Sequence, residues 1–229
     1  LASAAEVAID KAREAEQRRV VLPPADKNET EIVRLLKIDV SRAPAYGAKS
    51  ANLGEMVRAG FDGFKIPAGV AVPIHYYDAH LEKHGLWALI DAALKDPKFT
   101  DDATHRAQVL ADIRKRIMSA PLDAEFESRL TNALAPLASR GARGLFVRSS
   151  TNAEDLPGFN GAGLYDTVPN VQGAAELSAA VRKVWASVWN LRAYEERQHF
   201  GIDHREVYGA VLVQIGINAT AAGVLVTTN

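Results

Sequence analysis

The sequence predicts a mixed α/β (α+β) fold with a large helical portion. Three runs, at residues 66–73, 144–147 and 208–217, are apolar and rich in strand-forming residues. Helical periodicities lie between them, and the longest helical region spans about residues 74–140. Buried strands that alternate with amphipathic helices indicate a sheet that helices cover.

The composition of the 229-residue chain is typical of a globular protein and argues against several functional classes. Hydrophobic residues make up 48% of the chain and charged residues 24%, so the chain can bury a core of its own. The formal net charge is −1, so no strong field directs the whole protein to nucleic acid or to an anionic membrane. We therefore expect neither nucleic acid nor a membrane among its partners.

Other features of the sequence concern location and completeness. The chain contains no cysteine, no apolar run near the roughly 20 residues that span a bilayer, and no visible signal peptide. These features are typical of a reducing compartment, and we expect a cytoplasmic location. The first residue is Leu1 rather than methionine, and Asn229 directly follows a strand-like run, so we expect a segment cut from a longer polypeptide.

Residues 1–42 are predicted to form a helical linker or the end of an upstream domain. Residues 1–19 are rich in Ala, Glu, Lys and Arg, with Ser3 as a candidate N-cap. A second short helical pattern covers residues 28–37. Neither segment contains residues with an identifiable chemical role.

A helix is predicted over residues 47–59, and Lys49 lies in its first turn. A cation at this end opposes the helix dipole, so its position requires a reason. An anion held jointly by Lys49 and the helix N-terminus would supply one. The alternative is an exposed lysine whose ammonium lies in water, and the residues alone favour that alternative.

The helical region over residues 74–140 is predicted to be packing scaffold. Its first helix, residues 74–84, contains three histidines, but their spacing does not match a zinc motif, so a polar helix face is favoured over a metal site. Apolar stripes at helical spacing follow, and Pro97 and Pro121 divide them into separate helices.

Residues 144–171 carry the strongest indication of chemistry in the chain. A short strand is predicted to bring Arg148 to its end, and three hydroxyl residues, 149–151, follow at once. Two carboxylates and a glycine-rich loop come next, at Glu154, Asp155, Gly158, Gly161 and Gly163.

This order of residues favours an anion site. Glycine allows backbone N–H groups to approach a phosphate, and successive N–H groups can form a concave anion nest. Arg148 adds a planar cation that matches phosphate geometry. The alternative is a strand, a tight turn and a second strand over residues 164–168, with Arg148 paired to Glu154 or Asp155.

The last third of the chain is predicted to complete the sheet. A long helix is expected over residues 174–194, with its two tryptophans in the core rather than against a ligand. Two further strands are expected, at residues 208–217 and 223–228.

A resemblance to a known family is carried by residues 147–171, VRSSTNAEDLPGFNGAGLYDTVPNV. They resemble the signature of the N-terminal nucleotide-binding domain of the dikinases. This family includes phosphoenolpyruvate synthase, pyruvate phosphate dikinase and glucan water dikinase. Residues 46–56, 184–194 and 211–214 are similar to the same family in the same order, so that the resemblance covers roughly residues 45–229.

The resemblance implies a partial ATP-grasp nucleotide-binding domain over residues 43–229, truncated at its C-terminus. In the family, ATP gives its β-phosphoryl group to a histidine on a separate domain, and the phosphohistidine then phosphorylates pyruvate or a glucan. The expected cofactors are therefore ATP and Mg²⁺, and the expected partners are the phosphohistidine and acceptor domains of one full-length protein. The family's Mg²⁺ ligands lie beyond a segment that residues 227–229 open, so we expect no metal ligand here and no complete dikinase activity from this chain alone.

The resemblance also implies candidate site residues. Lys49 and Arg148 match the ATP-phosphate ligands of the family and are the predicted catalytic residues. The three loop glycines match a flexible loop over the phosphates, and Gln214 begins the strand that contacts adenine. The full predicted ATP-binding set is Lys49, Arg148, Ser149, Gly158, Gly161, Gly163, Asp166, Thr167, Gln214, Ile215 and Ile217.

Two other classes of function remain as hypotheses beside the dikinase. One is a non-catalytic module that responds to nucleotide or binds a partner, and the other is a purely structural helical domain with a coincidental loop. A structural domain predicts no change in thermal stability with Mg-ATP. Phosphoryl transfer by the full-length protein would separate the dikinase from the non-catalytic module.

Overall fold

The computed structural model describes residues 13 and 16 and residues 19–138, 144–156 and 158–223. Five strands form one sheet: β1 (Val33–Arg34), β2 (Gly69–Val72), β3 (Leu145–Thr151), β4 (Thr167–Val171) and β5 (Gly209–Ile215). The α-helices are α1 (Ala43–Ala59), α2 (Ile74–Lys83), α3 (Leu86–Lys95), α4 (Pro97–Asp101), α5 (Ala103–Ser119), α6 (Ala124–Ala138), α7 (Gly173–Ala186) and α8 (Leu191–His199). The predicted mixed α/β class with a large helical portion is confirmed.

The sheet is antiparallel at every pairing, in the order β1-β2-β5-β3-β4. Val70, Val213 and Val147 lie opposite one another on β2, β5 and β3, and all three are buried. Their side chains face the main core, which the helical region and α7 complete. Ala71 faces the other side of the sheet, where it packs with Tyr46 and Ala51 of α1. Helix α1 therefore covers the opposite face of the sheet from the other helices.

Aspartates begin three successive helices of the helical region. The carboxylate of Asp96 accepts a hydrogen bond from the N–H of Lys98 at the start of α4, and Asp102 and Asp123 act in the same way for α5 and α6. Such N-caps satisfy backbone donors that have no partner within the helix. These N-caps explain why this region divides into short helices near Pro97 and Pro121.

The buried tryptophans confirm the prediction that this part of the chain is core. Trp185 and Trp189 are fully buried, and the indole N–H of Trp189 donates to the Tyr77 hydroxyl at 2.9 Å. The single helix predicted over residues 174–194 is instead two helices, α7 and α8, joined by a 3-10 turn at Ser187–Trp189. The hydroxyl of Ser187 at this break donates to the carbonyl of Val184 and accepts from the N–H of Asp166.

Several predicted boundaries are wrong. Residues 28–37 contain no α-helix, because Val33 pairs with Ala71 and so forms strand β1, after which a 3-10 turn covers Leu35–Lys37. The strand predicted over residues 164–168 lies at Thr167–Val171. The strand predicted over residues 223–228 and most of the helix predicted over residues 1–19 lie outside the described residues.

Residues 19–32 have no helix or strand and lie against the rest of the domain. The N–H of Val20 donates to the carbonyl of Phe200, and the hydroxyls of Tyr46 and Tyr76 donate to the carbonyls of Glu31 and Thr30. The proposed domain boundary near residue 42 stays a prediction. Within the described residues, no helix is both long and apolar enough to cross a membrane.

Two buried histidines predict a loss of stability in mild acid. Burial lowers the pKa of His80 to about 4, and burial together with the nearby Arg197 lowers the pKa of His204 to about 3. Below the ordinary histidine pKa of about 6.5 the unfolded chain therefore binds protons that the folded chain excludes. We expect the free energy of unfolding to fall by about 1.4 kcal/mol per histidine for each pH unit between about 6.5 and 4.

Urea unfolding at pH 7 and pH 5 measures this effect. His204→Gln should reduce the pH dependence, whereas substitution of the exposed His199 by glutamine should leave it unchanged. An equal free energy of unfolding at both pH values would contradict the prediction.

Candidate nucleotide-binding site

Lys49 extends from α1 to strand β3, which lies 100 residues further along the chain. Its ammonium donates to the backbone carbonyl of Ser149 at 2.7 Å and lies 3.4 Å from the Ser149 hydroxyl. Strand β4 begins at Thr167, opposite Arg148, so β3 extends past β4 at Ser149 and leaves this carbonyl accessible. Lys49 is therefore not the exposed lysine of the alternative interpretation, because three-quarters of its side chain is buried.

A close contact between α1 and β3 fixes the position of Lys49. Gly47 has a φ of +75° and interrupts the helix, and a Cβ atom there would lie 1.7 Å from the carbonyl oxygen of Ser150. The hydroxyl of Ser150 donates to the carbonyl of Tyr46 at 2.8 Å and accepts from the N–H of Ser50 at 2.9 Å. Ser150 thus satisfies backbone groups on both sides of the interruption, and only glycine allows this approach.

Glu154 is the ion-pair partner of Lys49. The two side chains are 3.3 Å apart, and the Glu154 carboxylate also accepts from the Ser149 hydroxyl at 3.0 Å and the Thr151 N–H at 3.1 Å. Burial raises the pKa of the Glu154 carboxyl, and the Lys49 ammonium and these hydrogen bonds oppose that rise. The alternative in which Glu154 pairs with Arg148 is wrong.

Arg148 lies in the middle of strand β3, whereas the sequence predicted that it lies at the end of the strand. Strand β3 continues to Thr151, because Ser149, Ser150 and Thr151 pair with β5. The half-buried guanidinium of Arg148 donates to the side-chain oxygen of Gln214 at 3.0 Å, and the Gln214 amide donates to the carbonyl of Pro67. Arg148 is therefore held by a neutral partner.

Strand pairing brings several predicted site residues to one face of the sheet. Arg148 lies opposite Thr167 on β4, and neighbours directly across a ladder share a face. Ser150 is two residues further along β3, so it shares that face, and it contacts α1. Gln214 lies beside Arg148 and opposite Gly69 on β2. A side chain at position 69 would clash with the side chain of Gln214. This face, beside α1, is the candidate site.

The three loop glycines have different surroundings. Gly161 lies against the Glu154 side chain, since a Cβ atom at this position would be 3.2 Å from the Glu154 Cγ. Gly158 has a φ of +80° and its nearest neighbour is Val20, whereas Gly163 has a φ of +74° and open space around it. Of the three, Gly161 directly borders the Lys49–Glu154 pair.

The remaining predicted residues lie at the margins of this face. The carboxylate of Asp166 accepts from the side-chain amide of Asn190 at 3.1 Å, and Thr167 is exposed. The N–H of Ile215 donates to the carbonyl of Ala68, and Ile217 lies beyond the end of β5 with a side chain that is 69% exposed.

Sequence reasoning missed the parts played by Gly47 and Glu154. The signal for Gly47 is its place two residues before Lys49, where glycine can interrupt the helix. For Glu154 the signal was a carboxylate among hydroxyls, but its partner is 105 residues away in the chain.

The described residues do not by themselves fit a metal centre. Within them, no group of three or more His, Cys, Asp or Glu side chains is placed to hold a metal ion. The best-positioned carboxylate, Glu154, is occupied by Lys49, Ser149 and Thr151. We therefore assign no metal ligand to this face.

Comparison with known proteins connects this geometry to a family. Residues 43–229 match the AMP/ATP-binding domain of pyruvate phosphate dikinase. A phosphoenolpyruvate synthase of Pseudomonas aeruginosa is 37% identical over 201 residues, an alignment that covers 86% of this chain and 25% of the relative. The phosphoenolpyruvate synthase of Escherichia coli is 38% identical over 172 residues, covering 74% of this chain and 21% of the relative.

A rifampicin phosphotransferase of Streptomyces is also similar, at 34% identity over 199 residues, which cover 86% of this chain and 22% of the relative. The chain spans about a quarter of the length of the curated relatives that it matches. The match over residues 43–229 includes α1, β3 and the whole candidate site. The chain belongs to the family of the pyruvate phosphate dikinase AMP/ATP-binding domain.

Proposed function

We propose that this chain binds ATP on the sheet face beside α1, with the phosphates between Lys49 and Arg148. The observation that carries the proposal is the 2.7 Å contact from the Lys49 ammonium to the carbonyl of Ser149, the residue next to Arg148. The ammonium of a lysine from α1 thus lies beside the strand residue that follows Arg148. A triphosphate is the natural ligand of such a pair, because phosphoryl chemistry requires positioning and neutralisation of negative charge.

Arg148 is suited to phosphate binding because its hydrogen-bond partner, Gln214, is neutral. Among the described residues, no carboxylate lies within ion-pair distance of its guanidinium, and its hydrogen bond to Gln214 leaves the positive charge uncompensated. A planar guanidinium can hold phosphate oxygens with two parallel N–H groups. We assign Arg148 to a phosphate that becomes more negative during transfer.

The other assignments follow the family resemblance. We propose that the loop glycines approach the phosphates and that Thr167 offers a hydroxyl near them. Ser149 is assigned to the site through its contacts with Lys49 and Glu154, and Asp166 orients this edge of the sheet through Asn190. The loop glycines are Gly158, Gly161 and Gly163. Adenine is assigned to the end of β5 and the residues that follow it, at Gln214, Ile215 and Ile217.

The proposed reaction transfers the β-phosphoryl group of ATP to a histidine of another domain, within a partial ATP-grasp domain. The bonds that join the β-phosphate to the α- and γ-phosphates both break, so that AMP leaves and the γ-phosphate passes to water or inorganic phosphate. The phosphohistidine then phosphorylates pyruvate or a glucan. Mg²⁺ ligands, the histidine and the acceptor domain are proposed to lie in other parts of the cytoplasmic full-length protein, so this chain alone would bind ATP without completing the transfer.

Calorimetric titration of the chain with ATP tests the binding proposal. Lys49→Met should weaken ATP binding at least about tenfold, because one charge-assisted contact with phosphate is lost. The exposed Lys115, on α5, is the matched control, and Lys115→Met should bind ATP as the wild type does. Titration below the melting temperature is needed, because Lys49→Met leaves the buried Glu154 without its partner and lowers stability.

Equal ATP affinity of the two variants would remove Lys49 from the site. If the wild type binds no ATP, a purely structural domain becomes the better account. If ATP binds and ATP labelled at the β-phosphate leaves no phosphohistidine on the full-length protein, a non-catalytic nucleotide-responsive module becomes the better account.

A further inference from the structure

Glu154 is a buried carboxylate that the proposed phosphate contacts do not explain. Its side chain is only 6% exposed, and each oxygen has two partners. One oxygen accepts from Lys49 and the Ser149 hydroxyl, and the other accepts from Lys49 and the Thr151 N–H. A carboxylate held in this way has a fixed position, and the acceptor sites of both its oxygens are already engaged.

The ammonium of Lys49 is engaged in the same cluster. A lysine has three N–H donors, and the carbonyl of Ser149, its hydroxyl and the Glu154 carboxylate are all within 3.4 Å of this ammonium. A phosphate that binds Lys49 must therefore compete with at least one of these partners. The partner with a full negative charge is Glu154, and its charge also repels a triphosphate.

We propose that Glu154 is the counter-ion and positioning residue of Lys49, which holds the ammonium at Ser149 until a triphosphate competes for it. This inference rests on the proposed function, since it requires Lys49 to contact ATP. Lys49 is thereby kept in place without ligand, at the expense of affinity. Removal of the negative charge with retention of the side-chain shape should tighten triphosphate binding.

The glycine loop packs beside the side chain of Glu154. A Cβ atom at Gly161 would lie 3.2 Å from the Glu154 Cγ and 3.1 Å from the Ala153 carbonyl oxygen. Because the loop packs this close to Glu154, we expect closure of the loop over phosphates to accompany the release of Lys49 from Glu154.

The test compares ATP binding by the wild type and by Glu154→Gln. We expect Glu154→Gln to bind ATP about tenfold more tightly, since the Lys49 ammonium no longer has to leave a negatively charged partner to bind phosphate. Binding of adenosine, which has no phosphate, should not change. In the double variant Lys49→Met/Glu154→Gln the gain should disappear, because the gain acts through the ammonium.

Asp155→Asn is the matched control for net charge. Asp155 is the next residue and is exposed, and its φ of +55° is one that asparagine tolerates well. Asp155→Asn changes the net charge of the chain by the same amount as Glu154→Gln. The ATP affinity of this control should stay within about twofold of wild type. An equal gain in both variants would show a general charge effect and overturn the inference.

A second readout requires no nucleotide. Acetylation of Lys49, followed by peptide mass spectrometry, should be several-fold faster in Glu154→Gln than in the wild type. If Glu154→Gln does not fold, Glu154→Asp serves instead, because its carboxylate is one methylene shorter and should also expose Lys49 to acetylation. Unchanged acetylation, with ATP affinity unchanged or weaker, would overturn the inference.

The two proposals fail in different ways. If the wild type binds no ATP while acetylation of Lys49 still rises in Glu154→Gln, the proposed function is wrong and Glu154 is only a structural counter-ion. If the wild type binds ATP through Lys49 and Glu154→Gln changes neither measurement, the proposed function stands and the inference is wrong.

Discussion

Replacement of Gly47 by alanine is expected to destabilise the protein by about 3 kcal/mol and to abolish ATP binding. The new Cβ atom would lie 1.7 Å from the carbonyl oxygen and 2.4 Å from the carbonyl carbon of Ser150. These are backbone atoms of β3, which pairs with β5 at this position, so they cannot rotate away. The φ of +75° at Gly47 adds strain for any residue with a side chain.

The clash would separate α1 from β3. The hydrogen bonds of the Ser150 hydroxyl to Tyr46 and Ser50 would be lost, and Lys49 would be withdrawn from Ser149. One substitution would thus change both stability and the candidate site. Urea unfolding and ATP titration measure the two effects separately.

Gly63→Ala is the matched control for backbone strain. Gly63 has a φ of +91° and no atom within 4 Å of a Cβ position, so alanine there introduces strain without a clash. We expect a cost of about 1 kcal/mol and unchanged ATP affinity. Equal losses of stability in the two variants would mean that the contact with Ser150 relaxes easily, and the account of α1 docking would then be wrong.

Arg148→Lys is expected to weaken ATP binding about tenfold or more while the free energy of unfolding changes by about 1 kcal/mol. Lysine keeps the positive charge but loses the planar fork that matches a phosphate. The contact at risk within the protein is a single hydrogen bond to Gln214, so the cost to stability is small. In the full-length protein we also expect most autophosphorylation to be lost.

Arg116→Lys on α5 is the matched control for the replacement of an arginine by lysine. Arg116 forms an exposed ion pair with Asp112, one turn away on the same helix, and this pair has no connection with the candidate site. ATP affinity and stability should both stay near wild type. If Arg148→Lys unfolds the protein, Arg148 has a structural role, and unchanged AMP formation by the full-length variant would remove it from the site.

Periodicity and composition predicted most of the elements. The apolar runs became β2, β3 and β5, and the amphipathic stripes became α5 and α6, because these patterns depend on which side of an element is buried. Strand β3 continued beyond its predicted end because its polar residues are satisfied inside the protein. Ser150 bonds to α1, and the Thr151 hydroxyl accepts from the N–H of Ala153.

The candidate site itself depended on contacts that no local pattern reports. Lys49 and Arg148 were assigned from the resemblance, but the pairing of Lys49 with Glu154 joins residues 105 positions apart. The same applies to β1, where pairing of Val33 with Ala71 outweighs the local helical pattern. Tertiary pairing, rather than propensity, decided each of these positions.

A crystal structure of the chain with a non-hydrolysable ATP analogue tests the central claim most directly. The account predicts that phosphate oxygens lie within hydrogen-bonding distance of the Lys49 ammonium and the Arg148 guanidinium, with adenine near Gln214. It would be contradicted by an analogue bound elsewhere, such as the 300 Å³ cavity lined by His80 and Trp185, with Lys49 still held by Glu154 and Arg148 by Gln214.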